Sequence, residues 1–459
     1  MTSMKRFLAL LLMVALLAVP AFTLAESDAA DTATETTETA EDPNEVLVTV
    51  NGVDITRERF NTYYNSMVTY YSSYYDTTDE SLLAYLRQYA LSIAIEYELI
   101  DQKATELNLD LTEEERTSTL ETAQANWQSV LDSGLEYMGI TDESTEDERA
   151  EALVEVLSML EAEGYTEEIY YNECIESARY NKVMTYLVQD ITVTDEEVEE
   201  EFNTLVAADK ETYEGNISDY ENTQYMNTLY AAYGYTDYVT PLYYQPSGYR
   251  GISHILLSVD DTLLETYTNL LATYEEQQDQ IEAGEEVTDE LVTYEQVEEA
   301  KQAIIDSVQP TIDEINEKLA NGESFEDLIL EYGQDSGMED ETTRAEGYSV
   351  HMDSTSYVSA FTEGAFTMEN VGDISEPIVS DYGVHILKYV RDVPSGAVEL
   401  TTDIMDTIRA DLLSTKQNEH ISEVVLQWED ESTIVYSDAG LDIMPATVDN
   451  EEDTASTEE

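Results

Sequence analysis

Two short apolar runs, more than a hundred residues apart, constrain this chain more than any other feature. Gly251-Ile252-Ser253-His254-Ile255-Leu256-Leu257 and Val384-His385-Ile386-Leu387-Lys388-Tyr389 each read as a short buried β-strand carrying a histidine. Strand alternation puts Ile252, His254 and Leu256 on one face of the first, and His385, Leu387 and Tyr389 on one face of the second. The chain has only four histidines, and these two sit in apolar strands. A buried imidazole needs hydrogen-bond partners. Separate core histidines satisfied by a hydroxyl or a carbonyl meet that need, and so does a paired functional site.

Charge narrows the possible partners. Lys and Arg number 19 against 101 Asp and Glu, a formal net charge of -82. No basic patch exists to displace counterions from phosphates, so nucleic acid is excluded as a partner and anionic membrane surfaces are disfavoured. The acid excess reads as a solvated, self-repelling surface. Cation binding by that surface is the other reading, and no EF-hand loop pattern accompanies it. The single cysteine, Cys174, cannot form an intramolecular disulfide, and its apolar neighbours suggest a buried, inert thiol in a helix. No cysteine near the start supplies a lipid-anchor site.

Lys5-Arg6, the apolar run Phe7 to Val19, Pro20 and Thr23-Leu24-Ala25 describe a secretory signal over 1–25, and therefore an extracytoplasmic protein. Left uncut, the same segment is just long enough to hold the chain at a membrane. Residues 26–43 form a Thr/Ala/acid-rich disordered tether. A helical module is expected over 44–212, opening on a hairpin at Asn51-Gly52 and marked by two capping boxes, Thr112 to Glu115 and Thr194 to Glu197. The stretch 213–247 is rich in tyrosine without a steady helical period. It reads either as a linker packing on its own domain or as an amphipathic surface for unfolded chains. A compact domain spans 248–395, interrupted over 262–309 by a charged, helix-prone insertion. A helix and a strand occupy 396–440, and 441–459 is an acidic, disordered end.

No HExxH, P-loop, GxSxG or paired CxxC pattern occurs. An ordered series does: Ser253-His254-Ile255-Leu256, Asn321-Gly322-Glu323-Ser324-Phe325, Glu331-Tyr332-Gly333-Gln334-Asp335, Ala360-Phe361-Thr362-Glu363-Gly364-Ala365-Phe366, Val371-Gly372-Asp373-Ile374-Ser375-Glu376-Pro377 and Tyr382-Gly383-Val384-His385-Ile386-Leu387-Lys388. This series resembles the parvulin family of peptidyl-prolyl cis–trans isomerases. The whole chain is similar to exported foldases of the PrsA and SurA type.

The resemblance implies an α+β protein: a helical N-terminal module of the SurA type and a parvulin domain with a small antiparallel sheet wrapped by helices. The C-terminal helix and strand would return to the N-terminal module, with Val46 to Val50 as the strand's partner. It also implies that His254 and His385 form a hydrogen-bonded pair, joined by Asp335 and by Ser380 at the usual threonine position. Phe361 would floor a proline pocket, with Tyr357, Ser349 and Tyr382 also lining it and Phe366 in the core. No cofactor and no metal are implied. The partners would be unfolded or partly folded exported polypeptides, bound by a monomer or a dimer. A holdase with a weak parvulin domain is the alternative reading.

Overall fold

The computed structural model describes residues 42–444 apart from 73, 163–164 and 288–289. The chain divides into two compact units, Met1–Val193 with Ala410–Glu459, and Thr194–Arg409. The expected signal, the tether before residue 42 and the acidic end from 445 lie outside the described residues.

In the first unit, β1 (Val46–Val50) and β2 (Val53–Thr56) pair antiparallel. Asn51 and Gly52 turn the hairpin at φ of 51° and 89°, left-handed values that these two residues tolerate. Then come α1 (Arg57–Ser72), α2 (Glu80–Glu106), α3 (Glu113–Tyr137), α4 (Glu146–Ala162) and α5 (Glu167–Val188). The capping box at α3 forms as read: Glu115 N donates to Thr112 Oγ1 at 3.2 Å, and Thr112 N donates to Glu115 Oε2 at 2.7 Å. Leu86, Tyr89, Ile93, Tyr97, Ile100 and Ala104 are the buried stripe of α2, with Tyr97 stacked on Tyr180 of α5 at 5.0 Å between centroids. Cys174 is half-buried rather than buried, beside a cavity of about 300 Å³ between α3 and α5. Burial still pushes its thiol pKa up, which disfavours the reactive thiolate.

The second unit begins with α6 (Asp195–Tyr213), opened by the Thr194–Glu197 capping box, and α7 (Ile217–Ala232). Where the tyrosine-rich sequence suggests a linker, the chain forms the helix α7. Its inward face carries Ile217, Tyr220 and Glu221, spaced as helical neighbours, while Tyr225 and Tyr233 point to solvent. After β3 (Tyr244–Gln245) comes β4 (Arg250–Leu257), then the insertion as the helices α8 (Asp261–Glu282) and α9 (Tyr294–Ala320). The sequence suggests a break between insertion and domain, but α9 runs unbroken through Pro310. Ile304, Ile312 and Ile315 are buried on both sides of the proline, so one continuous stripe outweighs its missing hydrogen bond. The remaining elements are α10 (Phe325–Tyr332), α11 (Glu341–Glu346), β5 (Tyr348–Val350), α12 (Ser359–Ala365), β6 (Ile378–Ser380), β7 (Gly383–Asp392) and β8 (Gly396–Ala397).

The main sheet is four-stranded and antiparallel, in the order β5-β4-β7-β6. Alternation sorts its two faces. Ile255, Leu257, Val384 and Ile386 pack against the helices α8, α9 and α10. Ile252, Leu387 and Tyr389 pack on the other side with Phe361 of α12. The histidines belong to this second face.

The chain then returns to the first unit through α13 (Thr402–Asp430), β9 (Ile434–Tyr436) and α14 (Asp438–Ile443). β9 pairs antiparallel with β1, Val48 opposite Tyr436. This is the strand return that the resemblance implies. α14 takes in three residues expected in the disordered end. Its Gly440 lies so close to the Leu47 carbonyl that a Cβ there would sit at 2.0 Å, so only glycine fits.

In the first unit, burial and the nearby Glu429 carboxylate push the Glu96 pKa up to about 8 from 4.5. A carboxyl raised on folding stabilises the fold while protonated. Its contribution is whole below about pH 4.5 and is lost as the pH rises through about 8. Urea unfolding of wild type and Glu96→Gln at about pH 5 and about pH 8.5 should show the wild type losing roughly 4 kcal/mol more over this window. Parallel pH dependences would contradict the assignment.

Candidate active site

The β4–β7 register sets His254 opposite Leu387 and His385 opposite Leu256, so the two histidines are diagonal neighbours on one face. Their rings stack at 5.2 Å with 19° between planes, and the two Nδ1 atoms are 3.0 Å apart. His254 Nε2 lies 2.7 Å from Asp335 Oδ2, and His385 Nε2 lies 2.6 Å from Ser380 Oγ. Asp335 follows α10 and opens the short 3-10 turn Ser336–Glu339, where its Oδ1 accepts from Gly337 N at 3.0 Å. Tyr348 of β5 donates its hydroxyl to Asp335 Oδ2 at 2.9 Å. That approach requires glycine at 337, because a Cβ there would lie 1.8 Å from the Tyr348 oxygen.

With both imidazoles in their neutral form, these contacts assign every proton. The Asp335 carboxylate only accepts, so His254 carries its hydrogen on Nε2 and presents a bare Nδ1. His385 must then donate from Nδ1, which leaves its Nε2 to accept from the Ser380 hydroxyl. Ser380 Oγ in turn accepts from Tyr382 N at 3.1 Å. The hydrogen bonds then run one way, from the Tyr382 amide to the Asp335 carboxylate.

Hydrogen bonding from His254, then from the Gly337 amide and Tyr348, holds the Asp335 carboxyl well below the usual carboxylate range. Burial, reinforced by His254 beside it, pushes the His385 pKa down to about 3 from 6.5. Burial and the Asp335 charge push the Tyr348 hydroxyl above its ordinary range. His254, His385 and Ser380 are 3–4% exposed, whereas the Asp335 side chain is 24% exposed. The carboxylate therefore sits at the open end of the chain.

An aromatic wall stands over the rings. Phe361 presents to His254 at 5.1 Å and to His385 at 5.5 Å, both near perpendicular. Tyr357 stacks on Phe361 at 5.6 Å, and Tyr348 meets Tyr357 at 5.9 Å. Arg250 secures the α12 end of this wall. Its guanidinium lies 4.3 Å from the Phe366 ring and 4.7 Å from Tyr389, and donates to the carbonyls of Ala365 and Met368.

The structure thus brings together His254, Asp335, His385, Ser380, Phe361 and Tyr357. Phe366 packs beneath Arg250 outside that group. Tyr382 is 64% exposed and joins through its backbone amide alone. Ser349 is exposed and lies between Tyr348 and Val350 on the strand, so the pleat turns it to the opposite face from Tyr348. Tyr348, absent from the sequence-derived site, is the residue that reaches Asp335. Counting back two from the apolar Val350 would have found it. Among the described residues, no group of three or more His, Cys, Asp or Glu is placed to hold a metal ion.

Nitrogen-15 NMR at neutral pH should find the proton of His254 on Nε2 and that of His385 on Nδ1. With a pKa near 3, His385 should remain neutral when the pH is lowered to about 5. A cationic His385 ring at that pH would contradict the proton order.

Comparison with known proteins places both parts of the chain. A family model described as a SurA-like N-terminal domain matches residues 1–132, and one described as a PPIC-type PPIASE domain matches 291–391. The second match covers Asp335 and His385 but begins beyond β4, because the α8–α9 insertion separates His254 from the rest of its domain. The foldase protein PrsA of Oceanobacillus iheyensis is 28% identical over 244 residues, covering 52% of this chain and 68% of that protein. PrsA of Clostridium kluyveri is 29% identical over 120 residues, covering 26% of this chain and 34% of that protein. The crystal structure of PrsA from Bacillus subtilis aligns over 88% of this chain and 100% of its own at 16% identity, with a TM-score of 0.20. Together these matches support a foldase of the PrsA and SurA type, with a SurA-like N-terminal domain and a PPIC-type peptidyl-prolyl cis–trans isomerase domain in one chain.

Proposed function

We propose that the cleft formed by His254, Asp335, His385 and the Phe361–Tyr357 wall catalyses rotation about X-Pro bonds in unfolded exported polypeptides. The observation that carries this reading is the Asp335 carboxylate, held ionised by its hydrogen bonds at the exposed end of an aromatic-walled histidine pair. Rotation about the bond faces a barrier of about 18–20 kcal/mol, set by resonance that draws negative charge onto the amide oxygen and positive charge onto nitrogen. An apolar wall that takes up the prolyl ring removes the water that stabilises this charge separation. A fixed carboxylate near the carbonyl opposes charge on its oxygen, so the twisted amide is bound better than the planar one. The histidine pair holds the carboxylate in place and supplies no proton to the substrate.

The acid excess, 101 acids against 19 bases, suits neutral or basic client segments, drawn in by long-range attraction that salt weakens. The basic and apolar start of the chain supports export. Among the described residues, no helix is long and apolar enough to cross a membrane.

A protease-free assay of cis-to-trans conversion in a short X-Pro peptide tests the reading. Wild type should accelerate conversion, and Asp335→Ala and His254→Ala should each lose roughly a hundredfold in kcat/KM. A folded wild-type protein that leaves the rate unchanged, or variants that keep the full rate, would overturn it.

A further inference from the structure

Glu221 on α7 is a carboxylate only 7% exposed, and it lies outside the network just described. It accepts five hydrogen bonds. Tyr249 OH reaches its Oε1 at 3.3 Å, and Ser354 OH donates to the same oxygen. Thr355 N, Ser356 N and Ser356 OH reach its Oε2 at 3.1, 3.2 and 2.9 Å. Four of the five donors belong to three consecutive residues between β5 and α12, a stretch with no ladder or helix of its own. Two successive backbone amides aimed at one oxygen form an anion nest, and the carboxylate fills it. A buried anion so compensated fixes its partners in place, because moving any of them strands the charge. The next residue is Tyr357, whose ring stacks on Phe361.

We infer that Glu221 is a positioning residue of the isomerase site. By seating residues 354–356 it holds Tyr357 against Phe361, so the tyrosine-rich helix α7 sets the shape of the proline-facing wall. This rests on the isomerase reading above. The 291–391 family match contains Tyr357 and Phe361 but not Glu221, so the wall is braced from sequence outside that match. Tyr357 is one residue from the nest, so a shift of Ser356 is a shift of the ring. In Glu221→Gln one acceptor oxygen becomes an amide nitrogen that confronts donors, and the seat is lost with little change in volume.

Four full-chain proteins test this: wild type, Glu221→Gln, Tyr357→Ala and the double variant. Glu221→Gln should lower kcat/KM about tenfold, mainly through KM, and should cost nothing further in the Tyr357→Ala background. A loss that adds fully to that of Tyr357→Ala overturns the inference, as does an unchanged kcat/KM. Amide exchange at Thr355 and Ser356 is measured alongside, and it should be about tenfold faster in Glu221→Gln. This arm separates the two claims. If wild type fails to isomerise, the proposed function falls, while faster exchange in the variant still supports the seat and unchanged exchange overturns it. Should Glu221→Gln not fold, Ser354→Ala with Ser356→Ala removes the hydroxyls from the other side. The same rise in KM is expected, and unaltered kinetics would overturn the inference.

Discussion

The 3.0 Å contact between the Nδ1 atoms of His254 and His385 is the interaction on which the site depends. Two atoms of the same kind can share a hydrogen bond only if one carries the proton and the other is bare. Asp335 fixes which is bare at one end, and Ser380 fixes the other. Had either ring the opposite tautomer, two lone pairs or two hydrogens would face each other in a buried place, with no water to relieve them. The sheet imposes the distance. Antiparallel register makes the histidines diagonal neighbours, and a bulge between Gly251 and Ile252 sets the pairing onward from there. The carboxylate then stands at the exposed end of the pair.

The same alternation explains how this domain accommodates its insertion. The helices α8 and α9 enter directly after β4, close in sequence to His254. They pack with Ile255, Leu257, Val384 and Ile386, the face opposite the histidines. The insertion therefore enlarges one hydrophobic layer of the sheet and leaves the aromatic wall on the other. Phe361, buried between imidazoles and tyrosine, is shared by core and site, so the packing that stabilises α12 also fixes the ring that covers the histidines.

Much of this was legible in the sequence, for identifiable reasons. Period-two alternation put each histidine on a face of its own strand with the right apolar neighbours, the resemblance brought the two together, and three-residue spacing of Thr and Glu located the starts of α3 and α6. Asn51-Gly52 named its turn. The misses also have physical causes. Ser349 was placed in the site by similarity along the sequence, whereas the pleat puts Tyr348 and Val350 on the inward face. Tyrosines scattered around α7 hid its helical face, because only Ile217, Tyr220 and Glu221 are buried there. Four of the five donors to Glu221 lie more than a hundred residues away, and no local pattern announces them. The insertion was expected to end at 309, but a continuous isoleucine stripe carries its second helix on through Pro310.

The central claim is that a one-way order of protons, begun at a residue that need not touch substrate, holds the catalytic carboxylate in place. Ser380→Ala tests it most directly. Removing that hydroxyl leaves His385 Nε2 without a donor, and a change of tautomer there sets two bare Nδ1 atoms against each other. The account predicts that Ser380→Ala loses about tenfold in kcat/KM for an X-Pro peptide while remaining folded, and that Ser380→Thr, which keeps the hydroxyl, retains the rate. A folded Ser380→Ala protein that isomerises at the wild-type rate would contradict it.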